Sequence, residues 1–302
     1  MLISMHNWMR AEPVELTIRR LAKYGYDAIE ISYDSVELAP GAPGTAAVRK
    51  MLKENKIKCY GSISLMFAGR DLIHADPAVR ASSVDYLKKC VTMVDELGGR
   101  VMSIVPSEVG KVKAMASPEE EWQWAIEGLK EVYAHAKALG VKIAIEPLNR
   151  FETNFLNRHD QALLLAKAVA PDVGVCLDVY HMNQEEADMF KAIENAGKKL
   201  YDLHVADNNR MACGMGMLNW RKLFKTLEKI GYKGSLTVEF VPPIDRTPAN
   251  PYKNALAAAD KTLTPEQLKF IEDHGSGVLS EEFYSWLVAE SIKTLRKYMK
   301  KK

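Results

Sequence analysis

The stretch ALGVKIAIEP, residues 138–147, decides the fold that we expect for this chain. Its leucine-glycine step is typical of a helix end, because glycine readily takes the left-handed conformation that closes a helix. The apolar residues that follow predict a short buried strand that begins at Lys142 and ends before Pro147, since proline cannot donate a ladder hydrogen bond. The same order of helix, glycine and strand occurs in KYGYDAIEIS (23–32), ELGGRVMSIV (96–105) and KIGYKGSLTVEF (229–240).

Repetition of this unit along the chain predicts an eight-stranded barrel. The predicted strands begin near Leu2, Ala28, Ile57, Arg100, Lys142, Val173, Lys199 and Ser235. Amphipathic helical windows separate them, and spacings of roughly 25 to 45 residues are what a (β/α)8 barrel needs. We therefore predict an α/β protein in which residues 1–302 form a single (β/α)8 barrel domain.

One interval departs from this rhythm. Residues 241–280 lie between the eighth strand and the last helix, and two short helical windows are predicted there, at 254–260 and 265–273. An insertion after a strand lies at the face formed by the carboxyl ends of the strands, where barrel active sites are found. We expect the insertion to be a lid over the site or a surface that contacts a second subunit. An excursion with a purely structural role is the alternative.

Composition argues against several classes of partner. The chain has 41 basic and 39 acidic residues and a formal net charge of +2, so no basic face for nucleic acid is expected. No apolar run is long enough to span a membrane, and the amino terminus lacks the pattern of a secretory signal. The four cysteines form no CxxC pair, and neither a GxGxxG motif after the first strand nor a P-loop is present. We expect a cytoplasmic protein with a small-molecule substrate and no nucleotide cofactor.

Four predicted strands, the fifth to the eighth, each end in a residue that can bind a metal ion. These residues are Glu146, Asp178, His204 and Glu239. A carboxylate in an apolar run is costly unless something pairs with it. Each residue has a plainer explanation when taken alone: a solvated strand end for the glutamates, a helix cap for Asp178 and a satisfied core position for His204. Because parallel strands of a barrel end on one face, we expect the four side chains to converge on one metal site.

Such a site indicates both a metal and a reaction. Three carboxylates and one imidazole favour Mn²⁺, with Mg²⁺ and Co²⁺ as alternatives, over a thiolate-type zinc centre. A divalent ion that binds the carbonyl and hydroxyl oxygens of a ketose acidifies the neighbouring C–H bond and stabilises the resulting enediolate. If Glu146 and Glu239 lie on opposite sides of the substrate, one removes the proton and the other returns it. The sequence therefore predicts a metal-dependent sugar epimerase, an enzyme of the isomerase class.

Four short motifs carry a resemblance to a known family. The pattern E-P-x-N-R-x-E stands at 146–152, L-D-x-x-H at 177–181, H-x-x-x-x-x-R at 204–210 and V-E at 238–239. With these motifs the chain resembles the sugar isomerase and epimerase superfamily of xylose isomerase-like TIM barrels. Within it, the chain looks most similar to ketose 3-epimerases of the D-tagatose and D-psicose 3-epimerase type, and the resemblance covers essentially the whole chain.

The resemblance implies a role for each residue of the site. The implied metal ligands are Glu146, Asp178, His204 and Glu239. Glu146 and Glu239 would also form the acid–base pair. The residues implied to bind substrate oxygens next to the reacting carbon are Glu152, His181 and Arg210. His6, at the end of the first strand, would either contact an end of the substrate or pack at the barrel mouth. The resemblance also implies a homo-oligomer, either a dimer or a tetramer.

Other functions remain open. The same site would suit a metal-dependent isomerase or lyase that acts on a 3-oxo-glycoside, as in the barrel subunit of a C-glycoside deglycosidase-type enzyme. Such a lyase is expected to carry an extra base close to Glu146, and Pro147-Leu148 offers none. Abasic-site nucleases of the same superfamily need a zinc cluster rich in histidine, which disagrees with the seven histidines and the near-neutral charge of this chain. A non-catalytic accessory subunit would have no need of two glutamates that flank a metal.

Overall fold

Eight parallel strands form the centre of the molecule in the computed structural model, which describes residues 1–67, 69–243, 245, 247–255 and 279–299. The strands are β1 (Leu2–Met5), β2 (Ala28–Glu30), β3 (Lys58–Ile63), β4 (Val101–Ile104), β5 (Lys142–Ile145), β6 (Gly174–Asp178), β7 (Leu200–Val205) and β8 (Ser235–Val238). Each strand begins within one residue of its predicted position.

The strands close into a barrel. Each pairs in parallel with its neighbour in the order β1-β8-β7-β6-β5-β4-β3-β2. The two ends of this sheet meet where His6 and Glu30 form a parallel bridge and where the Asp27 N–H donates to the Ile3 carbonyl oxygen at 2.9 Å. The predicted (β/α)8 barrel is therefore confirmed.

Helices surround the barrel and connect its strands. They are α1 (Val14–Tyr24), α2 (Thr45–Asn55), α3 (Pro77–Glu96), α4 (Pro118–Leu139), α5 (His159–Val169), α6 (Val179–Glu185), α7 (Met189–Ala196), α8 (Trp220–Lys229) and α9 (Glu281–Met299). Within the described part of the chain, no helix combines the length and apolar character that a bilayer crossing requires.

The helix-to-strand joints follow from local sequence, as α4 illustrates. The Ser117 hydroxyl accepts from the Glu120 N–H at 3.3 Å, and the Glu120 carboxylate accepts from the Ser117 N–H at 3.1 Å, which is a capping box. Pro118 occupies the first turn, where a missing N–H costs nothing. At the other end Gly140 has a φ of 73°, which closes the helix just before β5 begins. The stretch 138–147 thus forms the joint that its sequence predicts.

The inner face of the barrel becomes polar towards the carboxyl ends of the strands. Thr237 Oγ1 lies 3.3 Å from Glu30 Oε1, although β8 and β2 are not paired, so alternate residues of β8 face the inside. Glu239 follows Thr237 on that same face. Leu236 and Val238 alternate with them and belong to the apolar core. The parallel register therefore directs polar side chains to one end of the barrel interior.

Most of the predicted insertion, residues 241–280, lies outside the described residues. So do the helical window at 265–273 and all but the first two residues of the window at 254–260. At the margins of the segment, the Ser280 N–H donates to the Ala255 carbonyl oxygen at 2.8 Å. A lid or subunit contact remains a prediction.

Candidate active site

Strands β5 to β8 deliver the four predicted ligands to one place. Glu146 follows β5, Asp178 ends β6, His204 lies in β7 and Glu239 follows β8. The backbones of the two glutamates continue the ladder, since the Glu146 N–H donates to Ile104 O at 2.9 Å and the Glu239 N–H donates to Val205 O at 3.0 Å. All four side chains are buried, and the most exposed of them, Glu239, shows only 5% of its surface. The sheet itself therefore fixes where these side chains start.

The four side chains converge on one place, as predicted from the sequence. His204 Nδ1 lies 2.9 Å from Glu146 Oε1 and 3.2 Å from Glu239 Oε2. One potential ligand atom from each of Glu146, Asp178, His204 and Glu239 lies within 4.8 Å of all the others. Three carboxylates and an imidazole at this spacing form a donor set that fits a hard divalent cation.

Asp178 combines two of the roles considered for it. Its Oδ1 accepts from the Tyr180 N–H at 2.6 Å and so caps α6. Its Oδ2 has no hydrogen-bond partner among the residues described, and the same is true of Glu239 Oε2. Buried oxygens without partners are costly, and a cation between them would remove that cost.

The pKa values of the buried carboxyl groups also indicate a site for a cation. Burial raises the pKa of the Glu146 carboxyl. Burial, followed by the neighbouring charge of Glu239, raises the pKa of Asp178 to about 7. Both shifts arise mainly because the carboxyl groups are removed from water, and the charge of Glu239 adds to the shift of Asp178. Positive charge in their midst would stabilise the ionised forms, which makes the cluster a candidate cation site.

A cavity of about 460 Å³ opens beside this cluster, within the range of small-ligand sites. Glu146 and Glu239 line it, together with the three predicted substrate-binding residues, Glu152, His181 and Arg210. The rest of the wall is largely apolar and includes Leu65, Met66, Val105, Val109 and Leu148. The cavity therefore has one charged end, next to the cluster, and one apolar end.

Arg210 connects the charged groups at that end. Its Nη1 lies 3.6 Å from Glu152 Oε1, and its Nη2 lies 3.6 Å from Glu239 Oε1. The guanidinium carbon lies 4.4 Å from the centroid of the Tyr180 ring, in a cation–π arrangement. The backbone of Arg210 is left-handed, with a φ of 59°, a conformation that non-glycine residues seldom adopt. The side chain that this backbone carries lies in the cavity wall.

Asn149 lies among the site residues, although it was not predicted as one of them. Its Nδ2 donates to Glu152 Oε1 at 2.7 Å and lies 2.9 Å from His181 Nδ1. The Asn149 backbone N–H also donates to His181 Nδ1, at 3.2 Å. Because a backbone N–H can only donate, His181 Nδ1 is an acceptor and its ring proton lies on Nε2. Burial lowers the pKa of His181, so the neutral ring offers Nε2–H to the cavity. Asn149 could have been predicted from the sequence, because it is the asparagine of the E-P-x-N-R-x-E pattern.

His6 is not among the residues that line the cavity. It is fully buried, and its ring packs edge-on against His204 with centroids 4.5 Å apart. Its Nδ1 lies 3.4 Å from Glu30 Oε2, and its Nε2 lies 4.0 Å from Glu239 Oε2. Of the two expectations for His6, the geometry favours packing behind the cluster over contact with a substrate. Glu30 was also not selected, although it is the last residue of β2 and lies between the apolar residues Ile29 and Ile31.

Comparisons with known proteins bear on the whole chain. Residues 18–273 match the family described as xylose isomerase-like TIM barrel. An L-ribulose 3-epimerase from Mesorhizobium japonicum is 32% identical over 227 residues, which cover 75% of each chain. A D-psicose 3-epimerase from Agrobacterium fabrum is 30% identical over 74% of this chain and 77% of that protein. The crystal structure of a D-allulose 3-epimerase from Methylomonas sp. has the same fold, with a TM-score of 0.81 and 23% identity over 99% of this chain and 98% of that one.

Proposed function

Because the chain belongs to the xylose isomerase-like TIM barrel family, we propose that it is a divalent-metal-dependent ketose 3-epimerase. The observation that carries the proposal is the convergence of Glu146, Asp178, His204 and Glu239 beside a cavity that suits a small sugar. The relatives named as L-ribulose and D-psicose 3-epimerases support ketose chemistry at this site.

The four converging side chains would hold the cation. Mn²⁺ is the proposed ion, with Mg²⁺ and Co²⁺ as alternatives, because carboxylates and one imidazole suit these ions. When bound, the ion would supply positive charge next to the carbonyl and hydroxyl oxygens of the substrate. The unpartnered oxygens of Asp178 and Glu239 are the ones that the ion would satisfy.

Glu146 and Glu239 would transfer the protons. They enter the cavity from β5 and β8, and both lie next to His204 Nδ1. In the proposed mechanism, a substrate next to the cluster would bind with one carboxyl group towards each face of its C3 carbon. The ionised glutamate removes the C3 proton, and the protonated one delivers a proton to the opposite face, which inverts the configuration.

The neighbouring polar groups would orient the substrate and stabilise the enediolate that forms when the proton leaves. Arg210 and the Nε2–H of His181 are donors at the charged end of the cavity, where negative charge develops. Glu152 accepts hydroxyl protons of the sugar there. Asn149 holds His181 and Glu152 in place through its hydrogen bonds.

The composition of the cavity wall favours a free ketose over a sugar phosphate. Arg210 is the one cationic side chain among the described residues that line the cavity, and it already faces Glu152 and Glu239. The apolar end, lined by Leu65, Val105 and others, offers nothing to balance a phosphate.

A proton-exchange assay tests the proposal. The protein is incubated with Mn²⁺ in D₂O with D-fructose, D-psicose, D-tagatose, L-ribulose, hydroxypyruvate or a 3-oxo-glucoside, the ion is removed on a chelating resin, and ¹H NMR spectra are recorded. We expect deuterium at C3 of a ketose together with its 3-epimer. Exchange or cleavage with the 3-oxo-glucoside alone would reject the proposal in favour of the isomerase or lyase alternative. Loss of exchange after treatment with EDTA, and its return with Mn²⁺, tests the metal requirement.

A further inference from the structure

A second layer of buried polar side chains lies deeper in the barrel than the four proposed ligands. Its members are His6, Glu30, Asp202 and Thr237, and each has 1% or less of its surface exposed. Five atoms in this region have no hydrogen-bond partner in the part of the chain that the structure covers: both ring nitrogens of His6, Glu30 Oε2, Asp202 Oδ2 and His204 Nε2. Polar atoms this deeply buried are costly without partners, so their arrangement calls for an explanation.

His204 joins the two layers through its two ring nitrogens. Nδ1 faces the proposed ligands, 2.9 Å from Glu146 Oε1 and 3.2 Å from Glu239 Oε2. Nε2 faces the deeper layer, 3.4 Å from Glu30 Oε2 and 3.8 Å from Asp202 Oδ2. One nitrogen therefore serves the proposed metal site, and the other lies among carboxylates that the proposed reaction does not use.

The chemistry of imidazole assigns a role to Nε2 of His204. A neutral histidine that binds a cation through one nitrogen carries its proton on the other, and that N–H is normally donated to a carboxylate or carbonyl group. With Nδ1 directed to the cation, Nε2 carries the proton, and Glu30 Oε2 is the nearer acceptor. Glu30 is itself held in place, because its Oε1 lies within hydrogen-bonding distance of the Thr237 hydroxyl, at 3.3 Å.

We propose that Glu30 is a positioning residue that accepts the Nε2 proton of His204 and thereby keeps the Nδ1 lone pair directed at the metal site. This inference rests on the proposed function, since it assigns a role towards the cation that the four ligands would hold. Glu30 itself contacts neither the substrate nor the cation.

Two other arrangements of the same atoms are less favourable. Asp202 is the more distant acceptor, since its Oδ2 lies 3.8 Å from Nε2 against 3.4 Å for Glu30 Oε2. A second cation held by His6, Glu30 and His204 would require both nitrogens of His204 as ligands, hence a ring without either proton. Both arrangements are outcomes that the experiment below distinguishes.

The test measures Co²⁺ binding by visible absorption and by calorimetry. It compares the wild-type protein with the variants Glu30→Leu, Glu30→Gln and Asp202→Asn. Removing the acceptor in Glu30→Leu should weaken binding by about 10- to 100-fold, as loss of such outer partners typically does. Glu30→Gln keeps an acceptor oxygen and should lose less. Asp202→Asn is the matched control and should lose least. Unchanged affinity in Glu30→Leu, a larger loss in Asp202→Asn, or two Co²⁺ ions per wild-type chain would each overturn the inference.

A second measurement needs no variant and so does not depend on how the substituted proteins fold. Long-range ¹H–¹⁵N NMR of the Mg²⁺-loaded wild-type protein should show the ring proton of His204 on Nε2, shifted to low field by the carboxylate. A proton on Nδ1 would refute the assignment. If the wild-type protein bound neither Co²⁺ nor Mg²⁺, the proposed function itself would fail. Binding that is normal but insensitive to Glu30 would remove only this inference.

Discussion

Replacing Glu146 and Glu239 one at a time by glutamine separates a two-base epimerase from other uses of the same site. Both carboxyl groups lie beside His204 Nδ1, at 2.9 and 3.2 Å, and both line the cavity. The amide keeps the shape of the side chain but can neither accept nor deliver a proton at neutral pH. Each single variant should therefore lose epimerisation while the other glutamate remains in place.

The magnitude follows from the role of each group. General acid–base catalysis by a positioned side chain contributes about 10²- to 10⁴-fold, which corresponds to about 3 to 5 kcal/mol of transition-state stabilisation. The fold should survive, because the substitution replaces a buried carboxylate, crowded by other negative charges, with a neutral group. The thermal unfolding temperature of metal-free Glu146→Gln should therefore equal or exceed that of the wild-type protein. Glu239→Gln also loses the charge that faces Arg210 at 3.6 Å, so its unfolding temperature should be lower than that of Glu146→Gln.

The assay must separate proton transfer from metal binding, because both glutamates are also proposed ligands. Deuterium exchange at C3 is measured separately for each epimer in D₂O at saturating Mn²⁺, and the Mn²⁺ affinity of each variant is measured by calorimetry. A variant with one remaining base should exchange the C3 proton of one epimer without forming the other. Glu146→Gln and Glu239→Gln should show opposite preferences. Epimerisation near the wild-type rate in either variant, or exchange of both epimers by one variant, would refute the two-base reasoning.

The remaining predictions concern the groups around this pair. Asn149→Ala removes the donor to Glu152 and one of the two donors to His181. We expect kcat/KM to fall by about 10- to 100-fold, since a hydrogen bond to a charged group is worth about 1.5 to 3 kcal/mol. An unchanged kcat/KM would show that Asn149 does not position these residues. Saturating Mn²⁺ at about 100 times its Kd should raise the free energy of unfolding by about 2.7 kcal/mol, and a Tm that does not respond to Mn²⁺ or EDTA would argue against the metal site. Lys111→Met breaks a buried ion pair, in which Lys111 Nζ lies 2.6 Å from Asp71 Oδ2. The variant should lose about 3 to 5 kcal/mol of the free energy of unfolding in denaturant titrations. A loss below about 1 kcal/mol would mean that the pair is already solvated. Deleting residues 245–275 should raise KM or dissociate an oligomer, as judged by kinetics and analytical ultracentrifugation, and an unaltered enzyme would exclude both a lid and a subunit contact.

The family and the enzyme class were accessible from short motifs. The patterns at 146–152, 177–181, 204–210 and 238–239 led to the xylose isomerase-like TIM barrel family, and the relatives, named as sugar 3-epimerases, confirm the isomerase class. The roles of individual site residues, the metal ion, the oligomeric state and the function of residues 241–280 remain predictions.

The contacts of single side chains were less accessible. His6 was expected at the mouth of the barrel, where it would contact the substrate or pack, and it packs against His204 behind Glu239. The sequence shows that His6 ends the first strand, but the depth of that end relative to the cavity depends on the stagger of all eight strands. Asp178 was weighed as a cap or as a ligand, and its two oxygens allow both.

What the sequence determined by itself was the set of elements and the end of the barrel at which the polar residues gather. Apolar runs, glycine caps such as Gly140 and prolines such as Pro147 act over a few residues, so they are readable without the fold. The tertiary structure alone decided which polar side chains meet. Glu30 approaches Thr237 from 207 positions away, and Asn149 approaches His181 from 32, because closure of the barrel brings together strand ends and loops that no local pattern relates. Partner choice among buried polar groups depends on distances of a few tenths of an ångström, and only the packed barrel fixes them.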